Sequence, residues 1–134
     1  MKKLLIMGVV TALAAGLPLS AFAQSQAGTE VSTAHTHAVL AQSATPLLMA
    51  HMHLQHVINC LVGSKGNGFD AAAGDPCKGQ GEGAIKDAAS DSALEAKLKS
   101  ALADARSGLK SSSLETAQKD AGKAAAELGA APGK

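Results

Sequence analysis

An all-α fold is predicted: a small three- to four-helix up-and-down bundle with a Gly-rich loop closed by a disulfide. Three observations point to it. Apolar residues recur at helical spacing in three separate segments. Strand patterning is missing, since Val and Ile total only six after residue 23. Two cysteines, Cys60 and Cys77, bracket a stretch rich in glycine.

The segments follow in order. Residues 24–33 are small, polar and without periodicity, so a flexible N-terminal arm is expected there, ahead of a single helical domain over 34–134. His35 to Ser43 has short helical character around Val39 and Leu40. Thr45-Pro46 then reads as an N-cap followed by proline at the first helical position. The run LLMAHMHLQHVINCLV over 47–62 ends at Gly63, where a C-terminal cap belongs. Residues 63–83 hold seven of the fourteen glycines and form an irregular loop; 84–90 suit a short helical turn. Ser92-Ala93-Leu94-Glu95 and Ser112-Ser113-Leu114-Glu115 are capping boxes that open two helices. The first carries Leu94, Leu98, Ala101, Leu102, Ala105 and Leu109 inward and ends near Gly108. The second carries Leu114, Ala117, Ala121, Ala124, Ala125 and Leu128. The two pair as an antiparallel hairpin.

Composition narrows function. The chain has 134 residues, with 12 Lys+Arg against 11 Asp+Glu, a balance that argues against nucleic acid. Residues 1–23 read as a signal peptide: Lys2 and Lys3, an apolar run from Leu4, a Gly16/Pro18 break, then Ala21-Phe22-Ala23 before the cleavage point. Cleavage leaves 111 residues without Trp or Tyr and with one Phe, which removes the platforms that stack bases or grip sugars. Of these residues, 24 are Ala and 18 are Leu, Ile, Val or Phe, a thin core that calls for a cross-link or a metal. No second segment is long enough to span a bilayer, and Gln24 follows the cleavage point where a lipoprotein would carry Cys. A periplasmic or secreted location is therefore expected, where Cys60 and Cys77 would pair. Thiolate ligation of a metal at one or both cysteines is the competing reading; CxxC and CxxCH signatures are both absent.

All five histidines lie between residues 35 and 56. On a helical wheel Leu47, Leu54, Ile58 and Leu61 define the buried face of the 47–62 helix, and His51 falls inside that arc. Met49, His53, His56 and Cys60 form a second stripe at i, i+4, i+7 and i+11. His53 and His56, three apart, can turn their rings toward one ion. Met49 and Cys60 are about 17 Å apart along the axis, too far to share it, so Met49 is the closer assistant. His35 and His37 can join together only if their segment is extended, because on a helix they diverge by about 200°. Imidazole and thioether donors favour copper or zinc, nickel less so. A b-type haem ranks below a metal ion. The plain alternative is a polar surface row, with His51 packed and hydrogen-bonded and Met49 and Met52 filling gaps. Pairing of Cys60 with Cys77 would fold the loop over the histidine stripe, where an ion, a loop carbonyl or a carboxylate such as Asp70 or Asp75 would have to satisfy the rings.

Other motifs carry less. GSKGNG (63–68) and GQGEG (79–83) match no phosphate loop, and Asn67, Asp70, Asp75 and Glu82 miss the spacing of an EF-hand. Serines serve as caps, with no base placed beside them by any motif, so an enzyme is not expected.

Residues 98–128, LKSALADARSGLKSSSLETAQKDAGKAAAEL, resemble the helical hairpins of small periplasmic His-rich metal-binding proteins. The resemblance implies an exported helical metal binder. It transfers no ligand, because this hairpin has Ser100, Arg106 and Lys119 where that family carries histidines. The leading expectation is an exported, non-catalytic protein that stores, delivers or protects against a borderline metal held by His53 and His56, with Met49 and one or more of His35, His37 and His51 as assisting ligands. The alternative is a disulfide-stabilised interaction module that docks on an envelope protein.

Overall fold

The computed structural model describes residues 19–131. These form five α-helices, with no strand among the described residues: α1 (Leu19–Ser43), α2 (Leu47–Val62), α3 (Ala84–Asp87), α4 (Ser92–Lys110) and α5 (Leu114–Gly129), plus a 3-10 turn at Ala71–Ala73. α1 packs on α2 and α5, α2 on α4, and α4 on α5, which closes a four-helix ring; α3 bridges α1 and α2 from the side. The all-α bundle and its disulfide-closed loop are as expected. Residues 1–18 of the expected signal peptide lie outside the described residues, and among the described residues no helix is long and apolar enough to cross a membrane.

The flexible arm expected over 24–33 is corrected, because that segment lies inside α1. Ala27, Val31, Ala34, Ala38 and Ala41 are all buried. Their alternating steps of four and three residues make a heptad stripe of mostly alanine, small enough for neighbouring helices to approach closely. The polar residues between them fit the helix as well. Thr29 and Thr36 return their hydroxyls to the carbonyls of Ser25 and Ser32, 3.1 and 3.0 Å away. Glu30 and Thr33 on α1 face the loop, where Glu30 accepts from the Gly83 N–H at 2.9 Å and Thr33 donates to Gln80 Oε1 at 3.0 Å, and His37 on the same stripe faces α2.

α2 has the bounds read from sequence, and Gly63 follows it at φ +70°, hard against the Glu82 carbonyl. Three terminal assignments shift by one position or more. Pro46 is itself the N-cap of α2, extended and without a side-chain cap, so Thr45 does not serve. Asp91, one residue before Ser92, caps α4 by accepting from the Leu94 N–H at 3.0 Å, and Ser113 replaces Ser112 at the start of α5. Gly108 does not end α4, which runs on to Lys110. It is buried at the α4 crossing, where a Cβ would meet Leu54 Cδ1 at 2.9 Å and the Ala117 carbonyl at 3.2 Å. The core is Leu54, Ile58, Leu61, Leu98 and Leu128 set among alanines.

Three acids are buried within this frame, Glu30, Asp87 and Asp120. Asp120 on α5 accepts from Ser107 at 2.7 Å and pairs with Lys123 at 2.6 Å, and those partners hold its carboxyl below the usual range. Glu30 is 1% exposed, and its Oε2 has no hydrogen-bond partner. Burial pushes the Glu30 carboxyl up to about 8, against the Gly83 N–H, which lowers it; the Asp87 and Asp75 carboxylates add to the rise.

Candidate metal centre

Three histidine rings converge at the seam of α1 and α2. His37 from α1 and His53 from α2 bring their Nδ1 atoms to 3.2 Å, and His56 Nδ1 lies 3.4 Å from His37 Nδ1. One ligand nitrogen from each ring falls within 4.8 Å of the other two, so the three can hold one metal ion. A tetrahedral ion with metal–nitrogen bonds of about 2.0–2.1 Å spaces its nitrogens about 3.3 Å apart, which the two measured separations straddle. The third donor expected from outside α2 is thus His37.

Proton accounting favours an ion over self-association. His56 Nε2 is 2.7 Å from the Ala73 carbonyl, which only accepts, so that nitrogen must carry the proton. In the neutral ring this leaves His56 Nδ1 with a bare lone pair aimed at His37. His37 Nδ1 faces two nitrogens and carries at most one proton, so it can offer one full hydrogen bond or one shared between both contacts. A shared cation would engage all three nitrogens at full strength. Burial, then the neighbouring His56 and His53, push the His37 imidazole down to about 4, and burial followed by His56 lowers His53 as well. Both rings are therefore neutral donors at pH 7.

The loop that orients His56 is built from Cys60, Asn59 and the 3-10 turn. Cys60 and Cys77 are bonded, with Cα atoms 5.2 Å apart, so neither supplies a thiolate ligand. Closing a loop with a separation of 17 residues contributes on the order of 3 kcal/mol by the chain-entropy account. Asn59, fully buried, donates to the carbonyls of Asp70 (2.8 Å) and Gly74 (2.6 Å) and accepts from Gln55 Nε2 and the Asp70 N–H, both at 2.9 Å. The three bonds to Asp70 and Gly74 hold residues 70–74 so that the Ala73 carbonyl meets His56. A loop carbonyl, of the partners expected, is the one that satisfies that ring, and it sets its tautomer as an outer-shell partner does in metal sites.

The remaining sequence candidates separate. His51 Nε2 is held 2.9 Å from the Ser111 carbonyl at the α4–α5 turn, and His35 Nε2 lies against α5, 3.2 Å from where a Cβ on Gly129 would sit. These two are corrected as ligands: α1 is helical throughout 35–37, so His35 and His37 point apart, and His51 follows the core arc to α4. Met49 is exposed one turn ahead of His53. Asn59 was missed by sequence reasoning, although an amide inside an apolar helical run, one residue before a cysteine, is a detectable signal. No family model matches the chain, and no curated protein or solved structure does either.

Proposed function

We propose that this is an exported, non-catalytic helical protein that holds a borderline transition ion, copper or zinc ahead of nickel, at His37, His53 and His56, for storage, delivery or protection. The convergence of three imidazoles, with His37 Nδ1 3.2 and 3.4 Å from Nδ1 of His53 and His56 and with His56 locked in the tautomer that bares its lone pair, carries this reading. An all-imidazole set suits those ions and disfavours magnesium or calcium. Met49, one turn along α2, offers a thioether for a fourth position. Export is supported by the Lys2-Lys3 and apolar leader and by the disulfide. Ala21, Phe22, Gln24 and Ser25 are exposed, so cleavage after Ala23 leaves the Ala27 to Ala41 stripe intact.

Titration of the mature protein with Cu(II), Zn(II) and Ni(II), beside a His37→Ala/His53→Ala variant, tests the proposal. Micromolar or tighter one-to-one binding is expected, with the variant weakened by more than the roughly 10–100-fold that outer-shell losses cause. Indifference of the wild-type protein to all three ions would leave the interaction module. Exposed Val39, Leu40, Leu48 and Met49 around the α1–α2 connection would then be its natural contact surface.

A further inference from the structure

We propose a second, chemically different site: the cavity beneath the Cys60–Cys77 disulfide, built on the buried carboxyl group of Glu30 and on Asp75, binds a hard divalent cation of the calcium type in exchange for the Glu30 proton. The cavity has a volume of about 180 Å³ and lies between α1, the end of α2 and the Gly-rich loop; Glu30, Ser64, Asp75, Cys77 and Gly81 are among the residues that line it. At about 30 Å³ per water in the liquid, it has room for an ion with several waters.

Three features point to a cation. Glu30 Oε2 is buried without a hydrogen-bond partner, a costly condition that a metal–oxygen bond removes. The charges that act on Glu30 from α3 and the loop, Asp87 and Asp75, are both negative. Lys78 is the one basic residue lining the cavity among the described residues, and it is exposed. Gly81 then closes the floor: a Cβ there would collide with Asp87 Oδ2 and come within 2.9 Å of Glu30 Oε1, so the missing side chain is what lets the two carboxyl groups face each other. Part of the oxygen shell is already engaged. Glu30 Oε1 accepts from Gly83 N–H, Asp87 Oδ2 from Glu82 N–H at 2.9 Å, and Asp75 Oδ1 from Cys77 N–H at 3.1 Å, which orients the groups and leaves one oxygen of each for an ion or its waters. Oxygen-only donors with irregular loop geometry suit calcium, which takes 6–8 oxygens, better than magnesium, which demands an octahedron, or the imidazole-seeking ions of the histidine site.

Thermal melts of the disulfide-intact protein with CaCl₂, against NaCl at equal ionic strength, test this site separately from the histidine centre. A saturable rise of several degrees is expected, half-complete between micromolar and low millimolar calcium and retained in the His37→Ala/His53→Ala variant. Glu30→Gln and Asp75→Asn should each raise the half-saturating concentration at least tenfold. A calcium shift no larger than that of NaCl, or one shared equally by wild type and both variants, would overturn the proposal. The wild-type comparison decides the matter even if Glu30→Gln fails to fold.

Discussion

The α4–α5 hairpin and the α1–α2–loop half of the bundle bury acids in opposite ways. Asp120 in the hairpin has both a hydroxyl and an ammonium partner, whereas Glu30 has an oxygen with none and two further carboxyl groups nearby. The same contrast runs through the histidines and caps. The hairpin satisfies itself locally, with Asp91 and Ser113 at its helix starts and Leu98 and Leu128 inside. The other half gathers three imidazoles and a carboxyl group whose needs the protein alone meets only in part. Self-sufficiency marks scaffold, and incomplete satisfaction marks the places where a ligand belongs.

If the division is real, Leu98→Ala should cost about 2–5 kcal/mol of stability through the cavity it leaves, read by denaturant melts. The metal affinity of the folded fraction should be unchanged. A coupled loss of affinity would show that the hairpin shapes the site. Asn59→Ala probes the other half. It should cost about 1–3 kcal/mol for buried groups left unpaired and, by releasing Ala73 from His56, weaken metal binding about 10–100-fold. Loss of stability with full affinity would mean that the loop does not orient the ring.

Proton linkage supplies the smaller contrast, in chelator-treated protein. Glu30 binds its proton more tightly folded than unfolded, so its contribution to stability should fall as pH rises from 4.5 toward about 8, and Glu30→Gln should flatten that slope. Asp120 is depressed, so its contribution is present above its ordinary value of 3.8 and is lost as pH falls through its lower folded value. His37 adds to the acid side. Its folded value of about 4 lies below the ordinary 6.5, so stability should drop as pH falls across that interval. Denaturant melts at successive pH values of wild type, Glu30→Gln, Asp120→Asn and His37→Ala check all three signs.

The residues show which layer of this organisation a sequence exposes. Leu94, Leu98 and Leu102 announce α4 because leucine stands out from its polar neighbours, and Gly63 announces the end of α2. The stripe of Ala27, Val31, Ala34, Ala38 and Ala41 was hidden because alanine contrasts little with Thr, Ser and Gly, so the middle of α1 read as a loose arm. That omission removed Glu30 from view altogether. For the histidine cluster, the spacing of His53 and His56 was enough to name two of its members, and the disulfide was enough to bring the loop across. The third member depended on helix-to-helix packing: the choice of His37 over His35 is set by which side of α1 meets α2, and periodicity in α2 carries no information about that.

The central claim is that three Nδ1 atoms act together as one metal face. It is tested most directly by long-range ¹H–¹⁵N spectra of the histidine rings before and after one equivalent of Zn(II). The expected result is that Nδ1 of His37, His53 and His56 moves while His56 Nε2 keeps its proton, with His35 and His51 unmoved. Binding through His35 or His51, through Nε2 of His56, or no change in any ring would contradict it.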